Sequence, residues 1–548
     1  MFVAIVPGVL LLFTLGWALR QLSIRTDLDN IPGPKSESLI HGNLGQLFSV
    51  SSWNFHAKIA EQFGRVIRIN GLFGSKYLYL FDPKAMHHIV VKDQAIYEET
   101  SAFFASNSLI FGEGLLSTQG DHHKRQRKML NPVFSIVHMR HMIPMFKDVA
   151  NKLKTAMNKK LITGPQEIDI LHWMSRAALE MIGQSGFGYT LDSLMEGATP
   201  HPFSEAAKAL SPTTAKMMLL REYLLPTLVK IGSPRFRRWV VDHIPMKRIR
   251  AMRDIVDTLD RTTTEIFEGK KRTLKEGDEA LSKQVDQAKD ILSILMKANM
   301  DASEEDKLPD SEVLGQASTV LQMSTFTFAA TDTTSNALSR TLHLLAMNPE
   351  IQDRLRTEIV EAYKEHSGDI PYDDLVSLPY MDAICRETLR LYPPVPRVMR
   401  VARQEIVLPL STPIKGLDGH EMDSILVPKN TRIFISILNA NRDPLLWGPD
   451  ALEWKPERWL SPLPEVIHEA HLPGIYSHLM TFLGGGRACI GFKFSQLEMK
   501  VVLSTLVAHF RFYPPEKEIV WQMTGITSPT VKGSPSEQPQ LPLKMEIV

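Results

Sequence analysis

The chain has 548 residues, of which 44% are hydrophobic and 22% charged, with two cysteines and a formal net charge of +1. This composition excludes a mainly disordered or collagen-like chain, and two cysteines exclude a disulfide framework. The near balance of Lys plus Arg (62) against Asp plus Glu (61) removes any whole-protein electrostatic case for nucleic acid.

Residues Met1 to Leu19 carry no charged side chain, and Arg20 and Arg25 follow. As a helix the run would span about 28 Å, close to the hydrocarbon thickness of a bilayer. A cleaved signal peptide would need a basic leading region, a shorter apolar core and a small-x-small cleavage site. None is present, which leaves a single-span anchor over residues 1–20, with a buried terminal helix as the alternative. The arginines after the span put the rest of the chain in the cytosol by the positive-inside rule, where its thiols stay reduced. Ile31-Pro32-Gly33-Pro34 predicts a stiff, non-helical joint in a linker over residues 21–35.

Two strands are expected at Arg65–Ile69 and Lys76–Phe81, with Gly71 and Gly74 between them, and a helical stretch opening at Pro83. The pattern from about 120 to 365 is mostly helical, apart from a polar surface connection within 268–309. A long helix is expected from Asp310, a good N-cap, to Met347, with Pro349 just beyond. Its length of about 36 residues, or roughly 54 Å, suits a helix crossing a whole domain. Residues 371–460 read as short strands and turns, and 492–510 as helix. Length alone suggests roughly three or four domains, but no convincing linker follows residue 35. The expected fold is mainly α with a minor β-sheet, as one large domain over 36–548 behind the anchor.

The most informative segment is Phe482-Leu483-Gly484-Gly485-Gly486-Arg487-Ala488-Cys489-Ile490-Gly491. Its glycines allow backbone conformations and close approaches that a Cβ would block. The helix that follows puts Cys489 near a helix N-terminus, where peptide dipoles favour a thiolate. A thiolate can be the single protein ligand of a haem iron, and Arg487 suits a carboxylate. The alternative is an inert buried cysteine beside a Gly-rich turn; Cys385, by contrast, reads as a small packed side chain.

The string fits F-x-x-G-x-R-x-C-x-G, and on it the chain resembles the cytochrome P450 haem-thiolate monooxygenases, specifically the membrane-anchored, fungal type. Three further motifs stand in the expected order. Glu387-Thr388-Leu389-Arg390 puts Glu and Arg on one helix face. The resemblance implies that the pair forms a buried triad with Arg458 of Pro456-Glu457-Arg458-Trp459, where Trp459 stands in place of the usual Phe. In Ala329-Ala330-Thr331-Asp332-Thr333-Thr334, residues Phe326, Ala330, Thr333 and Ala337 share one face of the long helix. Thr333 can hydrogen-bond dioxygen or water, and Asp332 can feed protons along a hydroxyl or water chain; equally, the threonine hydroxyls can bond back to the preceding turn. The family usually has Gly where Ala330 stands. In Gly120-Asp121-His122-His123-Lys124-Arg125-Gln126-Arg127, His123 takes the place of the usual Trp, with Arg127 four residues on.

The resemblance implies a P450-like fold holding haem b, with Cys489 as iron ligand. It further implies that Phe482, His123, Arg127, Arg400 and Arg487 contact the haem, with Arg397 the competitor of Arg400, and that Asp332 and Thr333 are catalytic. It places Phe103, Phe104, Leu109, Ile110, Phe111, Phe326 and Val395 along the substrate, an apolar lining for a terpenoid, an aromatic or a fatty-acid-like molecule of secondary metabolism. It implies O2 as co-substrate, NADPH electrons through a separate reductase, and residence in the endoplasmic reticulum membrane facing the cytosol. No dinucleotide-binding Gly motif follows a strand, so the reductase is external. Residues 221–253, with Arg235, Arg237, Arg238, Lys247, Arg248, Arg250 and Arg253, suggest a basic amphipathic surface for membrane lipid or a solvated helix face. No nucleic-acid module accompanies it. A P450-like isomerase or dehydratase that uses no O2 and a non-catalytic haem-binding sensor or carrier are the competing functions.

Overall fold

The computed structural model describes residues 26–197, 201–275, 290–294, 317–534 and 538–548. The anchor expected over Met1–Leu19, the helix start at Asp310 and most of the polar connection within 268–309 lie outside them. Among the described residues no helix is long and apolar enough to cross a membrane. Helices dominate and the strands form small sheets, as the periodicity predicts.

The joint at Ile31–Pro34 is not a free linker. Ile31 is fully buried, and Pro32 O accepts the Arg68 N–H at 2.9 Å. A Cβ on Gly33 would stand 2.0 Å from Arg68 O, so only glycine allows this approach. The segment covers the edge of strand β1 (Val66–Asn70), which pairs antiparallel with β2 (Lys76–Leu80). A short β3 (Tyr97–Glu98), β4 (Arg397–Ala402) and β5 (Arg432–Ser436) complete one five-stranded sheet in the order β1-β2-β5-β4-β3. Only β2 and β5 run parallel. The β3–β4 pairing sets Glu98 opposite Val401 and so carries Glu99 up to Arg400.

The helices that matter for the site are α1 (Ser101–Phe111), α2 (Gly120–Leu130), α3 (Ile136–Leu161), α4 (Ile170–Phe187), α5 (Pro202–Ala215), α6 (Pro234–His243), α7 (Lys247–Lys275), α8 (Ala317–Met347), α9 (Pro349–Glu365), α10 (Pro379–Leu391) and α11 (Phe492–His509). Helix α10 corrects the expectation of strands and turns throughout 371–460. Its apolar positions Tyr380, Ile384 and Leu391 are buried, and Pro379 at its first turn costs no hydrogen bond.

Helix α8 is described over 31 residues, about 47 Å of helix. It packs on α4, α7 and α11. Leu338, Leu342 and Leu345 are fully buried on it, at the i, i+4, i+7 spacing of a core-facing stripe. Helix α11 is buried nearly all round from Leu497 to Val507, as a helix at the centre of a large domain must be. Phe494 near its start meets Phe146 of α3 edge-on at 4.9 Å.

Candidate active site

The loop before α11 owes its path to residues that tolerate left-handed backbone. Leu483 has φ +55° and Gly485 φ +65°. A Cβ at Gly484 would lie 1.7 Å from Pro473 O, and one at Gly485 1.8 Å from Val90 O. The Cys489 N–H donates to Phe482 O at 2.9 Å and closes the loop. Phe482 is buried and meets Tyr476 edge-on at 5.5 Å. Cys489 thus stands just before the first turn of α11, deep within the protein yet with accessible surface. Burial pushes its thiol pKa up, and the Gly491 N–H and the Arg127 guanidinium pull it down. Those two groups are what would stabilise a thiolate.

Four basic groups gather at this loop, two from α2, one from β4 and one from the loop itself. Arg127 of α2 donates from Nη1 to Ala488 O at 2.6 Å. Arg487 donates to Leu115 O (3.1 Å) and Thr118 O (2.8 Å). Arg400 of β4 lies in an ion pair with Glu99, whose Oε1 is 3.2 Å from Arg400 Nη2, while Arg487 Nε is 3.4 Å from Glu99 Oε2. His123 is buried in the same neighbourhood. Burial, then the positive charges of Arg487 and Arg127, hold its pKa down to about 4, against an upward pull from Glu99. His123 is therefore neutral at ordinary pH, with a ring N–H to give a carboxylate.

Arg397, three residues from Arg400 along the same strand, faces the other way, as strand alternation requires. Its guanidinium lies over the Phe48 ring at 5.0 Å and 3.4 Å from His56 Nε2. Arg400, not Arg397, shares a partner with Arg487.

Above this level, α8 is fastened to α11 by Thr334 Oγ1, which donates to Ser495 Oγ at 3.2 Å. Amid buried neighbours Ala329 is exposed and Ala330 and Thr333 are partly so. The Thr333 hydroxyl donates back to Ala329 O at 2.6 Å. Its proton is thereby engaged and its oxygen is left as an acceptor, so Thr333 can receive a hydrogen bond from water or substrate. Asp332 does not point along a threonine chain. Its Oδ2 accepts from Ser211 Oγ of α5 at 2.6 Å, and burial raises its pKa. A carboxyl shifted upward is suited to holding and passing on a proton.

The supporting triad is assembled. Arg390 Nε and Nη2 donate to Glu387 Oε2 and Oε1, both at 2.8 Å, with both side chains fully buried. Arg458 Nε lies 3.5 Å from Glu387 Oε1. Arg390 also donates to Asn441 O and Ala451 O, so one buried cation ties α10 to the irregular stretch leading to the cysteine loop. The unusual Trp459 has a role that sequence reasoning missed: its indole N–H donates to Glu387 Oε2 at 2.9 Å, a contact no phenylalanine makes. Cys385 is buried and its thiol is pushed up to about 12, which keeps it protonated.

Of the expected substrate-lining residues, Phe104 is buried with the Arg487 guanidinium 5.6 Å over its ring. Phe111 meets Phe328 of α8 at 5.4 Å. Phe326 is turned toward the core against Phe134 at 5.6 Å. Leu109 is largely exposed, and Phe103, Ile110 and Val395 are part-buried. The segment 220–228 packs on α1. Phe328, Glu99 and Ser211 had no signal in spacing, since each becomes relevant through a neighbour far along the chain.

The donor set fits a haem: an accessible thiol backed by an N–H and a cation, and three arginines with a neutral histidine converging to meet carboxylates. The sequence pattern of the cytochrome P450 family matches residues 32–535. The chain belongs to the cytochrome P450 family. It is 52% identical to cytochrome P450 monooxygenase 91 of Postia placenta over 97% of both chains, and 49% identical to monooxygenase 81 of the same fungus, over 96% of this chain and 94% of that one. It is also 43% identical to a ganoderic acid synthetase of Ganoderma lucidum, over 95% of this chain and 94% of the relative. It is therefore an oxidoreductase of the P450 monooxygenase kind, a family that implies a haem held by a thiolate.

Proposed function

We propose that this P450 inserts one oxygen atom from O2 into a hydrophobic small molecule of terpenoid, aromatic or fatty-acid-like character, drawing NADPH electrons through a separate reductase. The observation that carries the reading is the accessible Cys489 at the head of α11, with the Gly491 N–H and Arg127 beside it. A thiolate-ligated haem supplies dioxygen activation by donating electron density that favours O–O cleavage. Cys489 would hold the iron, while Arg127, Arg400, Arg487 and His123 would hold the carboxylates of the macrocycle. Phe104, Phe111 and Phe328 offer rings to an apolar molecule and exclude water around it. Asp332, whose pKa burial raises, can take up and pass on a proton at Oδ, and Thr333 Oγ1 can accept a hydrogen bond that fixes a water within reach. A relative named for ganoderic acid supports a small organic substrate and a place in secondary metabolism.

The proposal includes residence on the endoplasmic reticulum membrane, facing the cytosol. The basic surface read at 221–253 is less basic than its sequence: Arg238 is paired with Asp242 and Asp257, and Arg253 with Asp242 and Asp254. That region also exposes apolar side chains, namely Leu224, Leu228, Ile231, Phe236 and Trp239. Such a band beside the exposed Arg235, Lys247 and Arg250, which make no ion pair among the described residues, supports contact with lipid.

The test is the reduced, CO-bound spectrum of the purified protein. A thiolate-type Soret band that disappears in Cys489→Ala is expected; its absence from the parent, or its survival in the variant, refutes the haem assignment. Feeding lipophilic compounds to cells that co-express a P450 reductase should then yield a product heavier by one oxygen. NADPH consumption that no compound stimulates would refute the monooxygenase reading.

A further inference from the structure

Glu99 stands in the loop between β3 and α1. Its carboxylate bridges two cations that come from elements far apart in sequence, 3.2 Å from Arg400 and 3.4 Å from Arg487. The residue is 7% exposed. Its backbone is pinned as well: Arg403 Nη2 donates to Glu99 O at 2.6 Å, and the next residue, Thr100, caps α1 through the Phe103 N–H. The carboxylate is therefore held in place.

Two features call for explanation. A buried carboxylate is costly unless it serves to balance charge, and Glu99 Oε2 is buried with no hydrogen bond. Buried acceptors left open in this way mark a place for a further donor.

The charge count around the site supplies the reason. Arg127, Arg400 and Arg487 bring three fixed positive charges. The two propionates of a haem bring two negative charges, leaving one cation uncompensated in a largely buried cluster. Glu98 and Arg403 lie 3.8 Å apart and cancel each other, so Glu99 brings the count to zero. It is also the carboxylate that orients Arg400 and Arg487 toward one another.

We propose that Glu99 is a positioning residue that acts as the third carboxylate of the propionate-binding cluster, neutralising its surplus cation and thereby holding down the reduction potential of the bound haem. This rests on the haem reading above. A negative charge fixed near the iron stabilises the ferric state over the ferrous, which carries one positive charge fewer; its removal favours reduction.

The experiment is spectroscopic redox titration of the purified holoprotein, comparing the parent with Glu99→Gln and Glu99→Asp. Gln keeps the shape and removes the charge; Asp keeps the charge. In E99Q the ferrous state should gain by roughly three- to tenfold, which is about 28–59 mV for a one-electron couple at 59 mV per decade. E99D should stay within threefold of the parent. A variant E99D that binds haem while E99Q does not supports the inference equally, because the isosteric neutral residue has then failed where the charge succeeds. An unshifted potential in E99Q, equal shifts in both variants, or loss of haem from both would overturn it, since each points to packing rather than charge. A parent protein without a thiolate-type CO band would overturn the haem reading along with it, whereas a normal band with an unshifted E99Q overturns this inference alone.

Discussion

Trp459→Phe installs the residue usual at this place in the family, and it should destabilise this protein. The Trp459 indole N–H donates to Glu387 Oε2 at 2.9 Å. Glu387 is fully buried and its Oε2 otherwise accepts from Arg390 Nε at 2.8 Å. A hydrogen bond to a charged group contributes about 1.5–3 kcal/mol. Because Trp459 itself is only part-buried, the lower half of that range applies. The smaller ring also gives up part of the contact with Trp447, whose ring centroid is 5.6 Å away. Together these amount to about 2 kcal/mol, or roughly a thirtyfold shift toward the unfolded state. Urea unfolding followed by circular dichroism and by loss of the Soret band should show a lower midpoint with an unchanged slope. A Trp459→Phe protein as stable as the parent would refute the reasoning, because the indole bond would then contribute nothing and the triad would be complete without it.

Gly485→Ala places a Cβ 1.8 Å from Val90 O at a φ of +65°, so the cysteine loop must shift, and haem content after expression should fall at least tenfold; full occupancy would contradict the loop's steric basis. Thr333→Ala removes the acceptor on α8 but leaves the Asp332–Ser211 contact, so NADPH consumption should continue with most of the electrons appearing as peroxide; product yield per NADPH equal to the parent's would show Thr333 to be only structural. Burial holds His56 down to about 3 and His343 down to about 4, against an ordinary 6.5. Between about 6.5 and 4 the unfolded chain takes up protons that the folded chain refuses, so stability falls as the pH drops through that window. The slope reaches about 1.4 kcal/mol per pH unit for each such histidine, with His56, 1% exposed, carrying the larger share. A His56→Gln variant whose urea midpoint changes between pH 6.5 and 4.5 in the same way as the parent's would refute this.

Much of the proposed site is legible in the sequence, because the chemistry is concentrated in short contiguous strings. The glycines ahead of Cys489 and the Glu387–Arg390 spacing are local, and local sterics and helical periodicity are written in neighbouring residues. The same holds for the two strands near residue 70 and for α11. Tertiary structure decided the rest, wherever partners lie far apart along the chain. Arg397 and Arg400 are alike as letters, and only the position of β4 in its sheet turns one toward His56 and the other toward Glu99. Asp332 reads as one member of a threonine-rich run, yet its carboxyl is engaged by Ser211, 121 residues earlier. Trp459 reads as a departure from a motif until the fold brings its indole to Glu387. By itself the sequence marked the side chains proposed to carry the chemistry, because ligand type and loop sterics are short-range properties. Only the packing of distant elements decided which charge faces which, because burial and ion pairing exist only once the chain has folded back on itself.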